Sequence, residues 1–284
     1  MLAQTVYATP LVRLGRFEAR PEDALFTAVL PPGHHLVAFP ETALTIAYER
    51  AGEFVVDPTA VTFYNPDEIY RRRAISSMGD RCNWVSVRPD LLDELLYAPD
   101  AAKSDPEPRF SAPVVSCPSD AFVAQRQLFL DSAAGAIDSL AVEERAIALL
   151  SRLIGLQTAD SSGAQASLSP ASKRAVTRAQ ELLAARFRQS CTVAEIARYA
   201  SCSPFHLCRA FRAHTGFSLH GYRTALRLHH GYDRLTQSTD LTDLALDLGF
   251  ASHSHFSSKF KHHFGCAPRS VARKRAQSPG LRAQ

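Results

Sequence analysis

The 284-residue chain has no apolar run of the ~18 residues that a membrane-spanning helix needs. Its first residues, "MLAQTVYATPLVRLGRFEAR", hold no apolar stretch of the signal-peptide kind, so the expected location is the cytoplasm. The cysteines Cys82, Cys117, Cys191, Cys202, Cys208 and Cys266 lack the CxxC spacing of zinc sites. A chain of this size needs no disulfide staples, and most of these thiols are expected to be buried. Acidic residues are scarce in one half only. Residues 170–284 hold 6 Asp/Glu against 18 Lys/Arg, a balance of +12, whereas residues 1–169 hold 22 against 14, a balance of −8. A uniformly acidic or uniformly basic protein is thereby excluded. The basic half suits a polyanion and the acidic half different work.

The length allows two domains, each with its own core. "LQTADSSGAQASLSP", from Leu156 to Pro170, is poor in large apolar residues and reads as a linker. The expected division is 1–156, a linker at 157–169, and 170–284. In the first part, "HHLVAFP", "LTIAYE", "EFVVDPTAVTFYNP", "IYRRRAIS" and "CNWVSV" are short β-rich runs cut by Pro, Gly and Asp. "SDAFVAQRQLFLDSAAG" and "SLAVEERAIALLSRLIGL" follow with helical periodicity. The expected class is α+β, with a β-sandwich or barrel, a helical pair, and an all-α C-terminal domain. The stripe of Leu149, Leu153 and Ile154 on the second helix is the expected dimer contact.

Beyond the linker the chain repeats itself. "TVAEIARYASCSPFHLCRAFRAHTG" (Thr192 to Gly216) matches "DLTDLALDLGFASHSHFSSKFKHHFG" (Asp240 to Gly265), and each segment reads as helix, turn, helix. Thr192 with Glu195 forms a capping box, Ser203-Pro204 offers an N-cap and a proline at N1, and Gly216 supplies a stop. Between the units, "SLHGYRTALRLHHGYDRLTQ" reads as a connecting helix with Leu219, Tyr222, Leu226 and Leu228 or Leu235 turned inward. Gly231 weakens that helix by about 1 kcal/mol relative to alanine.

Four histidines and four phenylalanines crowd into "LGFASHSHFSSKFKHHFG". Phe256, Phe260 and Phe264 recur every fourth residue and mark a core face. His253 and His255 diverge by about 200° on a helix and do not share a metal ion easily. The short polar face of His253, Ser254, Ser257 and Ser258, beside Lys259 and Lys261, suits base edges flanked by phosphates. In the first unit, Phe205, Cys208 and Arg209 lie away from the Leu207/Phe211 core, and Arg209 has the fork that pairs with guanine. Two such units in a basic domain make a device for entering two major grooves.

With these residues in place, Ser169 to about Lys274 resembles the DNA-binding domain of the AraC/XylS family of transcription regulators. The resemblance is carried by "DLALDLGFASHSHFSSKFKHHFGCAP", with Gly249-Phe250, Phe256, Phe260, Phe264-Gly265 and Pro268 at the family's signature positions. It implies a seven-helix domain whose second helix in each unit is the recognition helix. By position, Phe205, Cys208 and Arg209, then His253, Ser254, Ser257 and Ser258, would face bases, and Arg212, Lys259 and Lys261 phosphates. The chain departs from the family where Ser258 replaces a frequent Arg, where Val271 and Ala272 replace Tyr and Arg, and where Gly231 replaces Ala. The N-terminal part is similar to the general plan of a cupin-like effector sensor. The expected partners are double-stranded DNA, a small-molecule effector, RNA polymerase and a second copy of the chain, with no membrane and no cofactor.

Other candidates lie in the acidic half. Phe63 and Trp84 could stack on an aromatic effector, and Arg71 of the run Arg71-Arg72-Arg73 could hold an anion. In a strand Arg72 would point opposite to its neighbours. His34-His35 followed by Glu41 is similar to the metal motif of cupins, which keeps a metal-dependent enzyme fused to a DNA-binding module as the alternative. Adjacent histidines on a strand point to opposite faces, which disfavours that alternative.

Overall fold

The computed structural model describes residues 3–28, 32–96, 109–160, 168–235 and 240–276. These fall into two compact units. The first contains β1 (Ala3–Ala8), β2 (Val12–Ala19), α1 (Ala24–Thr27), β3 (Leu36–Pro40), β4 (Leu44–Tyr48), β5 (Gly52–Val56), β6 (Ala60–Tyr64), β7 (Tyr70–Ala74), β8 (Asp80–Val87), α2 (Pro89–Leu96), β9 (Val114–Ser116), α3 (Ser119–Ala133) and α4 (Ser139–Asp160). Every strand pairing is antiparallel, in a six-stranded sheet of order β1-β2-β8-β3-β6-β9 and a three-stranded sheet of order β5-β4-β7.

The two sheets share a core. Ala38 and Tyr64 from the larger sheet cluster with Leu44, Ile46, Tyr48 and Val56 from the smaller, and Trp84 packs against them. The described strands therefore form a two-sheet arrangement, and no sheet among them closes into a barrel. β1 and β2 are not among the β-rich runs named from the sequence, and Gly15 stands in the middle of β2. Its role is long-range: a Cβ there would lie 2.0 Å from Cζ2 of Trp84, the residue paired with it on β8. The glycine makes room for the indole.

α3 packs on α4, which continues to Asp160, into the stretch read as linker; residues 161–167 of that stretch lie outside the described residues. The stripe expected to form a dimer contact is corrected here. Leu149, Leu153 and Ile154 are 5%, 0% and 4% exposed within the single chain, so this apolar face is satisfied by its own unit. The cysteine expectation is corrected as well: only Cys117 is fully buried, with burial pushing its thiol up to about 12, while Cys208 is exposed and the other four are intermediate.

The second unit is helical: α5 (Pro170–Ala185), α6 (Val193–Tyr199), α7 (Pro204–Thr215), α8 (Leu219–Arg234), α9 (Leu241–Asp247), α10 (His253–Phe264) and α11 (Pro268–Ala276). Local chemistry sets the boundaries. Thr192 and Glu195 form the reciprocal capping box at α6, and Ser203 accepts from the His206 amide at the start of α7. In the second repeat Asp240 accepts from the Thr242 and Asp243 amides and Ser252 from His255. A serine cap of this kind stabilises by about 1 kcal/mol. Gly216 and Gly265 end α7 and α10 in the left-handed region, with φ of 74° and 72°.

α8 supplies core to both repeats. Tyr222 meets Phe211 of α7 edge-on at 5.4 Å, and Tyr232 stacks on Phe260 of α10 at 5.9 Å. Phe211, Phe256 and Phe260 are fully buried, each contributing about 1.5–3 kcal/mol, while Phe264 is only half-buried against His263 and Tyr232. The simple helix-propensity expectation for Gly231 is corrected. A Cβ there would sit 2.9 Å from Leu248 Cδ1 and 3.1 Å from Phe256 Cε2, so α8 uses the glycine for close approach to the second repeat.

Candidate nucleic-acid interface

The second helix of each repeat turns one face inward and the other to solvent. On α7, Leu207, Ala210 and Phe211 are buried. Cys208 and Arg209 between them, and Phe205 and Arg212 on either side, are all exposed, Phe205 to 77%. This open aromatic ring beside an arginine fork leaves a surface able to contact base edges or methyl groups. Capping by Ser203 and Pro204 fixes the N-terminal end of this face.

On α10, Phe256 and Phe260 hold the inner face, and Ser254, Ser258, Lys259 and Lys261 are exposed. His253 and Ser257 are half-buried and joined within the helix, Nε2 to Oγ, at 3.1 Å. Together with Ser258, Lys261 and Arg269 of α11 they line an open cavity of ≈ 290 Å³. The accessible wall of this cleft is mostly apolar, with Leu241, Ala267 and Pro268 beside the hydroxyls, the imidazole and the two cations. Arg269 follows directly after Pro268 in a stretch without acidic residues, which is its signal in the sequence.

The N-terminal candidates are not gathered in one place. Phe63 is 1% exposed and packs against Phe110 with ring centroids 5.0 Å apart, whereas its neighbour Tyr64 faces the inter-sheet core. By strand alternation Phe63 and Trp84 thus lie on opposite faces of the larger sheet. Arg71 is exposed, and it is Arg72 that turns inward. Its Nε lies 2.7 Å from Asp80 Oδ2, with side chains 10% and 8% exposed, and its guanidinium covers the rings of Phe17 and Tyr70. Burial pushes the Asp80 carboxyl up, and Arg72 pulls against it. His34 lies in a bend before β3 and meets Trp84 edge-on, His35 packs against Phe110, and Glu41 faces Arg81, Asn83 and Arg126. Among the described residues no three His, Cys, Asp or Glu side chains form a metal-holding group, and no helix is long and apolar enough to cross a membrane.

Two capped helix-turn-helix units sharing one core helix define the C-terminal unit as a tandem helix-turn-helix domain. The family described as helix-turn-helix domain matches residues 196–274. The chain is 39% identical over 80 residues to the HTH-type transcriptional regulator GlxA of Rhizobium meliloti, covering 28% of this chain and 25% of that protein. It is 37% identical over 73 residues to the HTH-type transcriptional activator RhaS of Escherichia fergusonii, covering 25% and 26%. A solved AraC-type DNA-binding-domain regulator from Chromobacterium violaceum is similar at 32% identity and TM-score 0.36, covering 39% of this chain and all of that one. The chain thus spans about a quarter of the length of the curated relatives it matches. Residues 196–274 thus match the helix-turn-helix domain family, and this part of the chain is similar to HTH-type transcriptional regulators.

Proposed function

We propose that the protein is a sequence-specific DNA-binding transcriptional regulator without enzymatic activity. The observation that carries this reading is the pair of capped units whose outer faces are polar or basic, Arg209 and Arg212 on α7 and Ser258, Lys259 and Lys261 on α10. Phe205, Cys208, Arg209, His253, Ser254, Ser257 and Ser258 face the bases, and Arg212, Lys259 and Lys261 the phosphates. The basic balance of residues 170–284 supports the same assignment. Residues 170–284 form the DNA-binding domain, 157–169 the linker, and 1–156 a cupin-like domain that senses a small molecule in the cytoplasm. An effector that binds one arrangement of the sensing domain better than another then shifts the DNA-binding equilibrium.

The regulator acts as a homodimer and meets RNA polymerase at its promoter. With the Leu149 stripe buried, the dimer contact falls on the solvent side of the helical pair, where Leu140 of α4 is 63% exposed. The test is capture of genomic DNA fragments by the purified full chain, followed by gel shifts on the recovered fragments. One sequence class should be enriched, with affinity falling steeply as salt rises because phosphate contacts release counterions. Recovery of random fragments, or no shift at low salt, would overturn the reading.

A further inference from the structure

Arg227 lies on α8 between the inward-facing Leu226 and Leu228 and is itself only 9% exposed. Its guanidinium donates in three directions. Nε reaches the Phe187 carbonyl at 2.6 Å, Nη1 the Gly249 carbonyl at 2.6 Å, and Nη2 the Arg188 and Gln189 carbonyls at 3.1 and 3.3 Å. Burial, and after it the neighbouring Arg223, pull its pKa below the usual guanidinium value, so the charge is held by carbonyl dipoles at a site that disfavours it.

These acceptors belong to different parts of the domain. Phe187 to Gln189 link α5 to α6 and so lead into the first repeat; Gly249 is in the turn between α9 and α10 of the second. The same junction is reinforced at its edges. Phe187 stacks on His230 of α8 at 4.4 Å, and Asp247, at the end of α9, pairs with Arg188 at 3.6 Å and with Arg234 of α8. Gly249 is pressed so close that a Cβ would lie 2.2 Å from the Arg188 oxygen. α8, the entry to one repeat and the turn of the other therefore meet at a single guanidinium.

We propose that Arg227 is a positioning residue that fixes the relative placement of the two recognition helices, and with it the spacer length the protein accepts between the two halves of its DNA site; the inference rests on the DNA-binding reading above. The turn held by Arg227 directly precedes the N-cap of α10, so any movement of Gly249 against Arg188 re-aims α10 relative to α7. One inserted base pair shifts the second half-site by about 3.4 Å and turns it by roughly a tenth of a revolution. A close-packed domain pinned at this junction does not follow such a shift. Arg is suited to the task because its rigid fork presents donors to several acceptors at once, which a lysine ammonium cannot do in the same geometry.

The test uses the full chain and duplexes that carry both half-sites with zero, one or two base pairs added or removed between them. The native protein should lose about tenfold or more in affinity on a one-base-pair change. Arg227→Met keeps the aliphatic stem and removes the donors. If it melts cooperatively, it should lose no more than about threefold across the spacers, with the base preference within each half-site retained. Unchanged spacer discrimination, or an equal loss of affinity on every spacer, overturns the inference, because a merely stabilising role gives those results. Should Arg227→Met not melt cooperatively, Arg227→Lys is read by the same criteria. A native chain that binds no duplex would remove the DNA-binding reading and this inference together, whereas native binding with an unaltered Arg227→Met profile removes the inference alone.

Discussion

Replacing Gly249 with alanine tests how tightly the second repeat is seated. Gly249 has φ of +82°, where an L side chain costs about 1–2 kcal/mol. The added Cβ would also lie 2.2 Å from the Arg188 carbonyl oxygen and 2.7 Å from Arg227 Nη2. The nearer contact is backbone, so relief requires the α5–α6 segment and the α9–α10 turn to separate. Arg227 then loses at least one of its carbonyl acceptors, a charged hydrogen bond contributing about 1.5–3 kcal/mol. The total is about 3–5 kcal/mol, a large share of the ~5–15 kcal/mol that holds an ordinary domain together. For a domain of this size that lowers the melting temperature by roughly 15–30 °C. Gly265 is the control: its φ is +72°, and nothing lies within 4 Å of the position its Cβ would occupy. Gly265→Ala should cost only the conformational part, about 1–2 kcal/mol. Urea and thermal unfolding of both variants, followed by circular dichroism, separates the two contributions. Equal losses in the two variants would refute the close-approach argument.

Four further outcomes are expected. Arg209→Ala should relax base preference in one half of the site by about 1–3 kcal/mol, while Ser258→Ala should change little; selection from a randomised site gives the answer, and equal losses would reverse the ranking of the two helices. Lys261→Ala should weaken binding to all sequences alike and reduce the salt slope by about one; a sequence-dependent loss would place it among the base-reading residues instead. Burial, then Lys173, holds the His214 pKa below 6.5, and burial, then His262, does the same for His263. The unfolded chain therefore takes up protons first, so stability present above the ordinary imidazole value is lost as pH falls through it; a melting temperature unchanged between about pH 7.5 and about 5.5 would contradict this. Asp80→Asn leaves Arg72 charged and uncompensated among Phe17 and Tyr70 and should cost about 3–5 kcal/mol in urea unfolding, with much of the loss recovered by a second change, Arg72→Met.

What the sequence disclosed follows the range of the forces involved. The ends of α6, α7 and α10 could be read directly because caps act within three or four residues: Thr192 with Glu195, Ser203 with His206, Gly216 after Thr215. The inner and outer faces of α7 and α10 were equally legible, since helical period alone separates Leu207 and Phe211 from Arg209, or Phe256 and Phe260 from Ser258. β1 and β2 were not. The role of Gly15 depends on Trp84, far along the chain, which lies over it. The periodicity of α4 showed that Leu149 and Leu153 must be covered but not by what, and the cover proved to be its own unit. Arg227 gave no signal, because its acceptors lie 22 to 40 residues away and are carbonyls, which every residue type carries.

The sharing of α8 has a consequence for how the domain opens. Tyr222 completes the aromatic core of one repeat and Tyr232 that of the other, on a single continuous helix. Neither repeat can lose its packing without exposing an aromatic ring on the helix that the other still needs. The two copies of the motif should therefore behave as one cooperative folding unit rather than two. In native-state hydrogen exchange, amides in the middle of α8 should be released only with the full opening of the domain, and those near Phe211 and near Phe260 should share that same opening free energy. A repeat that is double in its chemistry is then single in its dynamics, and a lesion in either half is felt at both α7 and α10.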